Sequence, residues 1–273
     1  PELTGLKITT ITGTGDKVLP FDVELNTAGV SAQRLLEHLG MADLGIELEV
    51  HKKMPFGSGL GSSAASSAGA VVAINELLGA PLSRESLLYF TVLGEVVADG
   101  SFHADNVAPS LVGGITLIRS NESLDIHHLP VPSNLHVAVI HPELEILTKD
   151  ARAVLSDTIP LDTAVHQMGS LASFIVALYT NDLPLLGRSL HDFIIEPQRK
   201  QLITGFDDVK EAAMERGAMG CSISGAGPSM FALCDSGYLA QAVGQGMIEA
   251  FSVHGIESQL YVSPINQKGV VVL

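Results

Sequence analysis

A stretch of glycine, serine and alanine, PFGSGLGSSAASSAGA at residues 55–70, constrains the fold of this 273-residue sequence more than any other feature. It follows GIELEVH, whose alternating apolar and polar residues predict a half-buried strand. It leads into SSAASSAGAVVAINELLG, which has no polar face before Asn75 and predicts a buried helix ending at Gly79. The chain therefore runs from a strand through a glycine-rich turn into the start of a helix.

This order of elements favours phosphate binding. Backbone N–H groups at the start of a helix lack partners, and the helix dipole favours an anion there. Glycines allow the backbone to approach a ligand closely, and we expect Ser62 and Ser63 to cap the helix and to place hydroxyls beside a phosphate or its metal ion. The pattern is not a Walker A loop, because no lysine follows the last glycine, and it lacks the dinucleotide-binding spacing. The structural alternative is a tight turn into a close-packed helix of small residues.

Composition and charge exclude several classes of partner. Hydrophobic residues make up 46% of the chain, which is typical of a globular protein. Thirty acidic against fifteen basic residues give a net charge of −15, which disfavours nucleic acids and acidic membranes. No apolar run is long enough for a membrane helix. Cys221 and Cys234 lack metal-ligand spacing, so the sequence predicts a protein of the reducing cytoplasm.

The sequence predicts an α+β fold in two domains, residues 1–128 and 129–273. The proline-rich segment LPVPSNL, residues 129–135, is the predicted boundary. Beyond it, alternating patterns suit a small sheet with helices on one face. The predicted elements are a strand at LHVAVI, a helix that Thr148 begins, two helices within 161–192, a helix at 206–216, strands at 219–223 and MFALC, a helix at 237–253 and two closing strands.

Several segments resemble a known superfamily of kinases. PFGSGLGSSAA, residues 55–65, is similar to the P-x-x-x-G-L-G-S-S-A-A signature of the GHMP kinases, and SGAGPS at Ser224–Ser229 resembles their C-terminal glycine-rich loop. Three further segments resemble the homoserine kinases in particular: GEVVADGSFHADNVAPSLVGG (94–114), TKDAR (148–152) and EPQR (196–199). The resemblance covers essentially the whole chain. It implies a two-lobe GHMP kinase fold, with a lobe like domain 2 of ribosomal protein S5 followed by a ferredoxin-like lobe.

The sequence departs from the family at its beginning. The opening family motif, of the type P-A-S-S-A-N-L-G-x-G-F-D, has no match. The first residues, PELTGLKITTITGTGDK, are similar to the segment that comes after that motif in the family. We therefore expect the first lobe to be incomplete at its start.

The resemblance implies that the chain transfers the γ-phosphate of ATP to the hydroxyl of L-homoserine, a step of threonine biosynthesis. It places Mg²⁺ between Ser63 and Glu95. Two protein ligands, supplemented by phosphate oxygens and waters, are typical of this ion. The residues that it assigns to ATP are Pro55, Phe56, Gly57, Ser58, Gly59, Leu60, Gly61, Ser62, Ser63, Ala64 and Ala65.

The sequence pattern alone does not determine the role of Glu95. Helical spacing places it on one face with Leu88 and Val92, so that a carboxylate interrupts an apolar stripe. A partly exposed glutamate or a buried salt bridge would also fit this pattern. A metal ion would offset the cost of burying the charge.

Four residues are implied to contact or shape the substrate site. Guanidinium groups bind carboxylates in a bidentate manner, although the alternative for any single arginine is a surface ion pair. By resemblance, Arg152 and Arg199 contact the substrate, Asn106 binds its amino-acid group and His103 shapes the pocket. No residue stands out as a general base, so we expect catalysis without a dedicated one. A homodimer is also implied.

Two alternative functions are compatible with the sequence. One is another small-molecule GHMP kinase that acts on mevalonate, shikimate or a diphosphocytidyl sugar alcohol. The other is a catalytically inactive protein that binds a nucleotide or an amino acid, which the unmatched opening motif favours.

Overall fold

The computed structural model describes residues 4–146 and 148–273, in two compact units. The first unit comprises the chain up to Phe56, Gly61–His128 and Gln267–Leu273, and the second comprises Gly57–Leu60 and Leu129–Asn266. The limits predicted from the sequence were 1–128 and 129–273. In the structure, residues 57–60 are instead part of the second unit, and residues 267–273 are part of the first. Among the described residues, none of the helices has both the length and the apolar character that crossing a membrane requires.

The first unit surrounds its core with helices and two small sheets. Strand β1 pairs with β2 in parallel, and β3 pairs with β4. The elements are β1 (Leu6–Thr12), α1 (Thr27–His38), β2 (Ile46–His51), α2 (Ser62–Leu77), α3 (Arg84–Asp99), α4 (Val107–Val112), β3 (Ile115–Ser120) and β4 (Asp125–Leu129).

Helix α2 is buried, as its sequence predicts, and small residues determine how closely its neighbours approach. Ala64, Ala68 and Val71 are fully buried in the core that α2 shares with α1 and α3. A Cβ atom placed on Gly94 of α3 would lie 2.0 Å from Ser31 Oγ of α1 and 2.6 Å from Ser67 Oγ of α2. Only glycine therefore fits where the three helices meet, and this close packing brings the next residue of α3, Glu95, towards the start of α2.

The second unit is a four-stranded antiparallel sheet with helices. Its elements are β5 (His136–Pro142), α5 (Thr148–Ala153), α6 (Leu161–Thr180), α7 (Leu183–Ser189), α8 (Glu196–Arg199), α9 (Phe206–Glu215), β6 (Gly220–Ile223), β7 (Met230–Cys234), α10 (Gly237–Val253) and β8 (Ser258–Pro264).

The strand order of this sheet is β6-β7-β5-β8, with every neighbouring pair antiparallel. With helices between β5 and β6 and between β7 and β8, this is the topology of a ferredoxin-like fold. Val209 of α9 and Met247 of α10 are fully buried in one core with Ile140 of β5. The expected sheet with helices packed on it, and the mixed α+β two-lobe fold, are thus confirmed.

The prediction of two closing strands is wrong. Only β8 follows α10 within residues 254–273, all of which the structure describes. The last residues instead pack on the first unit, where Val270 N donates to Leu111 O at 3.4 Å. Arg84 of α3 stabilises this contact by donating to the carbonyl oxygens of both Leu111 and Val270.

Candidate active site

The start of α2 differs in one respect from the sequence-based expectation. The N-cap residue is Gly61, in the left-handed region at φ 73°, and no side chain caps the helix among the described residues. Ser62 Oγ donates to Met54 O at 3.3 Å, and Ser63 Oγ donates to Glu95 Oε2 at 2.9 Å. The prediction that these two serines cap α2 is therefore wrong, because each hydroxyl bonds elsewhere. Without a capping side chain, the N–H groups of the first turn can bind an anion.

The glycine-rich loop before α2 depends on left-handed backbone angles. Gly57, Gly59 and Gly61 have φ of 59°, 74° and 73°. A Cβ on Gly59 would lie 2.1 Å from Ser224 O, which is closer than atoms can approach, whereas a Cβ on Gly57 would meet open space. Ser58 is buried, and its Oγ accepts a hydrogen bond from Leu60 N at 3.3 Å.

The second glycine-rich segment contacts the first. Residues 224–229 connect β6 to β7 and form a hairpin-like turn. They also bind the first loop, because Ser224 Oγ donates to Gly59 O at 2.9 Å and Ser229 N donates to Ser58 O at 3.3 Å. The turn thus holds residues 57–60 in place.

Ser63 and Glu95 form an oxygen-rich pair at the start of α2. Leu88 and Val92 are buried, as the predicted apolar stripe of α3 requires, and Glu95 on the same face is half-buried. The Ser63 hydroxyl and the Glu95 carboxylate lie 2.9 Å apart. Hydroxyl and carboxylate oxygens are suitable ligands for Mg²⁺, so the donor set fits the metal ion that the resemblance implies.

A buried lysine beside the loop was missed in the sequence. Lys52 is 9% exposed, and its Nζ donates to Ser62 O and to Ser66 Oγ, both at 2.7 Å. The same Nζ lies 5.1 Å from the ring centroid of Phe56. Burial lowers the pKa of Lys52, while the charge of Glu95 raises it. Lys52 directly follows strand β2, whereas the lysine of a Walker A loop follows the last glycine. The Walker A pattern therefore does not predict it.

A cavity of about 330 Å³ lies in the first unit between β2 and α2. Its lining includes Leu48 and Val50 from the strand, and Ala65 and Ala70 from the helix. Lys52 and Ser62 also line it, so the cavity is continuous with the start of α2. Its volume is in the range of small-molecule sites.

The two predicted substrate residues that precede α4 occupy different surroundings. A Cβ on Gly61 would lie 3.2 Å from Asn106 Oδ1, so the exposed Asn106 side chain lies directly over the N-cap of α2. The His103 ring is exposed, and its Nδ1 lies 3.3 Å from Asn121 Nδ2. The structure thus places Asn106 against the N-cap of α2 and His103 beside Asn121.

The two predicted substrate arginines are neighbours in the second unit. Arg199 Nε donates to Ala151 O at 3.0 Å, and Arg199 Nη1 donates to Gly225 O at 2.9 Å. Burial lowers the pKa of Arg199, the charge of Asp192 raises it, and the positive charge of Arg152 lowers it further. A guanidinium has five N–H donors, so these two bonds leave others for a ligand. Thr148 begins α5, but its side chain lies outside the described residues.

Comparison with known proteins shows the family of this chain. Residues 26–114 match the GHMP kinases N terminal domain, and residues 174–253 match the GHMP kinases C terminal domain. The chain therefore belongs to the GHMP kinase family.

Within that family, the chain is similar to homoserine kinases. The homoserine kinase of Chlorobium phaeobacteroides is 46% identical over 98% of this chain and 86% of its own length. The crystal structure of homoserine kinase from Cytophaga hutchinsonii is 52% identical and superposes with a TM-score of 0.95, over 98% of this chain and 85% of that one. The structure of an L. major mevalonate kinase, at 18% identity and a TM-score of 0.73 over 97% of this chain and 84% of that one, shares the fold.

Proposed function

We propose that this protein is a homoserine kinase, which transfers the γ-phosphate of ATP to the hydroxyl of L-homoserine and yields ADP and O-phospho-L-homoserine. The main support for this proposal is the similarity of the chain to a homoserine kinase structure, at 52% sequence identity and a TM-score of 0.95. The Ser63–Glu95 pair beside an uncapped helix start supports it independently, because phosphoryl transfer requires an anion site next to a metal site.

ATP binds with its phosphates against the backbone of Gly57–Ser63. The left-handed glycines allow the main chain to approach the phosphates closely, and the helix dipole of α2 adds partial positive charge. The cavity between β2 and α2 receives the nucleoside, since it opens beside Ser62 and has largely apolar walls. Lys52 adds a full positive charge to a chain whose net charge of −15 would otherwise repel a triphosphate.

Ser63 and Glu95 would hold Mg²⁺, and the ion would supply positive charge to neutralise the phosphate oxygens. Gly94 has a positioning role in this pair, because it allows α3 to approach α2 closely. Asn106 binds the amino-acid group of homoserine, His103 shapes the pocket, and Arg152 and Arg199 bind the carboxylate. Catalysis proceeds through positioning and charge stabilisation without a dedicated base. The enzyme works in the cytoplasm as a homodimer.

Replacing Lys52 with methionine is expected to raise the KM for ATP by about tenfold, because the phosphates lose a cation and Ser62 O loses its hydrogen-bond donor. The matched control is Lys7→Met, since Lys7 of β1 is exposed and does not line the cavity. Steady-state kinetics at saturating homoserine measures both variants. Equal effects of the two substitutions would contradict a specific role for Lys52.

Arg152→Lys is expected to raise the KM for homoserine by about tenfold or more and to leave the KM for ATP unchanged, because a lysine cannot bind a carboxylate in a bidentate manner. Arg188→Lys, at an exposed position of α7, serves as the control and should behave like the wild type. A parallel rise in the KM for ATP would place Arg152 at the nucleotide instead.

The proposed reaction is tested by measuring ADP release from Mg²⁺ and ATP with L-homoserine, mevalonate or shikimate in separate assays of the full-length protein. We expect ADP only with homoserine, together with a phosphomonoester product in the ³¹P spectrum. Turnover with mevalonate or shikimate would identify a different GHMP kinase. Calorimetric binding of both ATP and homoserine without ADP formation would identify a non-catalytic binding protein.

A further inference from the structure

The second unit contains a buried ion pair whose members are not among the proposed ligand-binding residues. It joins the Glu196 carboxylate of α8 to the Lys210 ammonium of α9, and their side chains are 8% and 22% exposed. Ser222 Oγ of β6 donates to Glu196 Oε2 at 2.7 Å. Glu196, Lys210 and Ser222, here called the Glu196 cluster, thus connect α8 to a helix and a strand of the sheet.

Stability alone does not account for this buried ion pair. Each charge loses its hydration on burial, and proteins in which well-packed apolar residues replace such a pair are often as stable or more stable. Both carboxylate oxygens of Glu196 are hydrogen-bonded, Oε1 to Lys210 and Oε2 to Ser222. The Lys210 ammonium also lies 5.8 Å from the ring centroid of Phe206. These directional contacts fix the orientation of the Glu196 side chain.

Helix α8 depends on polar contacts for its position. It is a single turn of four residues, which is too short to be stable by itself. All four are described, and Glu196 is the one that is buried, so packing of apolar side chains contributes little here. Two further polar contacts support the turn. The Asp192 carboxylate accepts from the N–H groups of residues 194–196, and Gln198 Oε1 accepts from Ser156 N at 2.7 Å.

Arg199 lies on α8 three residues after Glu196, about one helical turn away. Its guanidinium donates to two backbone carbonyls in other segments, Ala151 O at 3.0 Å and Gly225 O at 2.9 Å. Hydrogen bonds weaken steeply when their distance or angle changes. The orientation of the guanidinium therefore depends on where α8 lies, and the buried carboxylate of Glu196 fixes that position.

We propose that the Glu196 cluster positions Arg199 for the carboxylate of homoserine. This inference rests on the proposed function, in which Arg199 binds that carboxylate. Glu196 is a positioning residue, because it is buried and acts through the turn that it anchors. An arginine that is already held in its binding geometry loses less side-chain freedom when the ligand binds, so its affinity for the carboxylate is higher.

Glu196→Gln tests the proposal by steady-state kinetics of the full-length protein, measured well below the thermal midpoint. Glutamine keeps the size of the side chain but cannot form the ion pair with Lys210. The KM for homoserine is expected to rise by about tenfold or more, while the KM for ATP stays within about twofold of the wild type. Asp207→Asn is the matched control, since it also removes the carboxylate of a lysine ion pair, but at a 72% exposed position. It should behave like the wild type.

Variants of Lys210 separate positioning from folding. Lys210→Met leaves the Glu196 carboxylate buried without its cation and should raise the KM for homoserine at least as much as Glu196→Gln does. Lys210→Arg keeps a cation there and should stay within about threefold of the wild-type KM. If Lys210→Met does not fold, the double variant Glu196→Gln/Lys210→Met removes both charges and should fold with the same rise in the KM for homoserine.

NMR of ¹⁵N-labelled protein gives a readout that requires no turnover. The chain has seven arginines, so the Nε–H signal of Arg199 can be assigned by its loss in Arg199→Lys. The hydrogen bond to Ala151 O should slow the exchange of this proton with water in the wild type and in Asp207→Asn. Glu196→Gln should speed the exchange by about tenfold or more.

Two results would overturn the inference. An unchanged KM for homoserine in folded Glu196→Gln would show that the cluster only stabilises the second unit. A raised KM with unchanged exchange at Arg199 would show that Glu196 acts by another route. A wild type that releases no ADP with homoserine would instead contradict the proposed function, and with it the role of Arg199. This failure is distinguishable from the other two because it appears before any substitution is made.

Discussion

Glu95→Gln is expected to lower turnover at saturating ATP and homoserine by about 100-fold or more, because the proposed metal ion would supply several kcal/mol of charge stabilisation and a neutral amide would not hold it in place. Glutamine retains the size of glutamate and can still accept the hydrogen bond that Ser63 Oγ donates to Glu95 Oε2 at 2.9 Å. The packing of α3 on α2 should therefore persist. The measurement is the rate of ADP formation as a function of Mg²⁺ concentration, together with the thermal midpoint.

The matched control for this substitution is Glu76→Gln, at an exposed position of α2. It removes the same charge from the same unit and should leave the rate and the Mg²⁺ dependence unchanged. If Glu95→Gln also left both unchanged, the assignment of the Ser63–Glu95 pair to the metal ion would be wrong. Ser63→Ala extends the test, since it removes the other proposed ligand and should shift the Mg²⁺ dependence in the same direction.

Gly59→Ala is expected to raise the KM for ATP by at least about tenfold and to lower the thermal midpoint by about 5 °C or more. Two effects destabilise the loop in this variant, backbone strain and a steric clash. An alanine at φ 74° is strained by about 1–2 kcal/mol, and its Cβ would lie 2.1 Å from Ser224 O. The loop must move away from residues 224–229, which breaks the hydrogen bond from Ser224 Oγ to Gly59 O.

Gly57→Ala separates these two effects. Gly57 also has a left-handed φ, 59°, but a Cβ there would meet no atom within 4 Å. It should show the strain alone and keep a KM for ATP within about threefold of the wild type. Equal effects of the two alanines would show that the contact between the two glycine-rich segments contributes nothing to nucleotide binding. Differential scanning calorimetry and steady-state kinetics on the same preparations measure both quantities.

The elements that could be predicted from the sequence are those that local patterns determine. Helix α2 has apolar or small residues on every face, which a helix tolerates only when it is buried. Helix α3 begins after Ser83, a residue type that favours helix starts, and the Ser83 side chain accepts from Ser86 N as a cap does. The buried apolar stripe of Leu88 and Val92 on α3 could likewise be predicted from its helical spacing.

The features that could not be predicted depend on contacts between distant residues. Ser62 and Ser63 have the composition of helix caps, but their hydroxyls bond to Met54 O and to Glu95, whose positions only the folded chain determines. The hydrogen bonds of Lys52 reach Ser62 O and Ser66 Oγ, ten and fourteen residues later in the sequence. Sequence patterns alone do not show that the helix containing these serines packs beside the lysine. No local pattern distinguishes such a lysine from its exposed neighbour Lys53.

The position of the C-terminal tail also depends on contacts between residues that are distant in sequence. Its apolar last residues are typical of a strand, and a second closing strand was predicted there. The tail packs instead on the first unit, because the Arg84 guanidinium donates to the backbone carbonyl of Val270 and Val270 N donates to Leu111 O. Backbone groups that satisfy their hydrogen bonds in this way do not need a neighbouring strand.

The structure of the full-length protein with Mg²⁺, a non-hydrolysable ATP analogue and L-homoserine tests the central claim most directly. The account predicts triphosphate oxygens within hydrogen-bonding distance of the Gly57–Ser63 main chain, with the metal ion on Ser63 Oγ and a Glu95 carboxylate oxygen. A triphosphate bound away from this loop, or a metal ion held without Glu95, would contradict it.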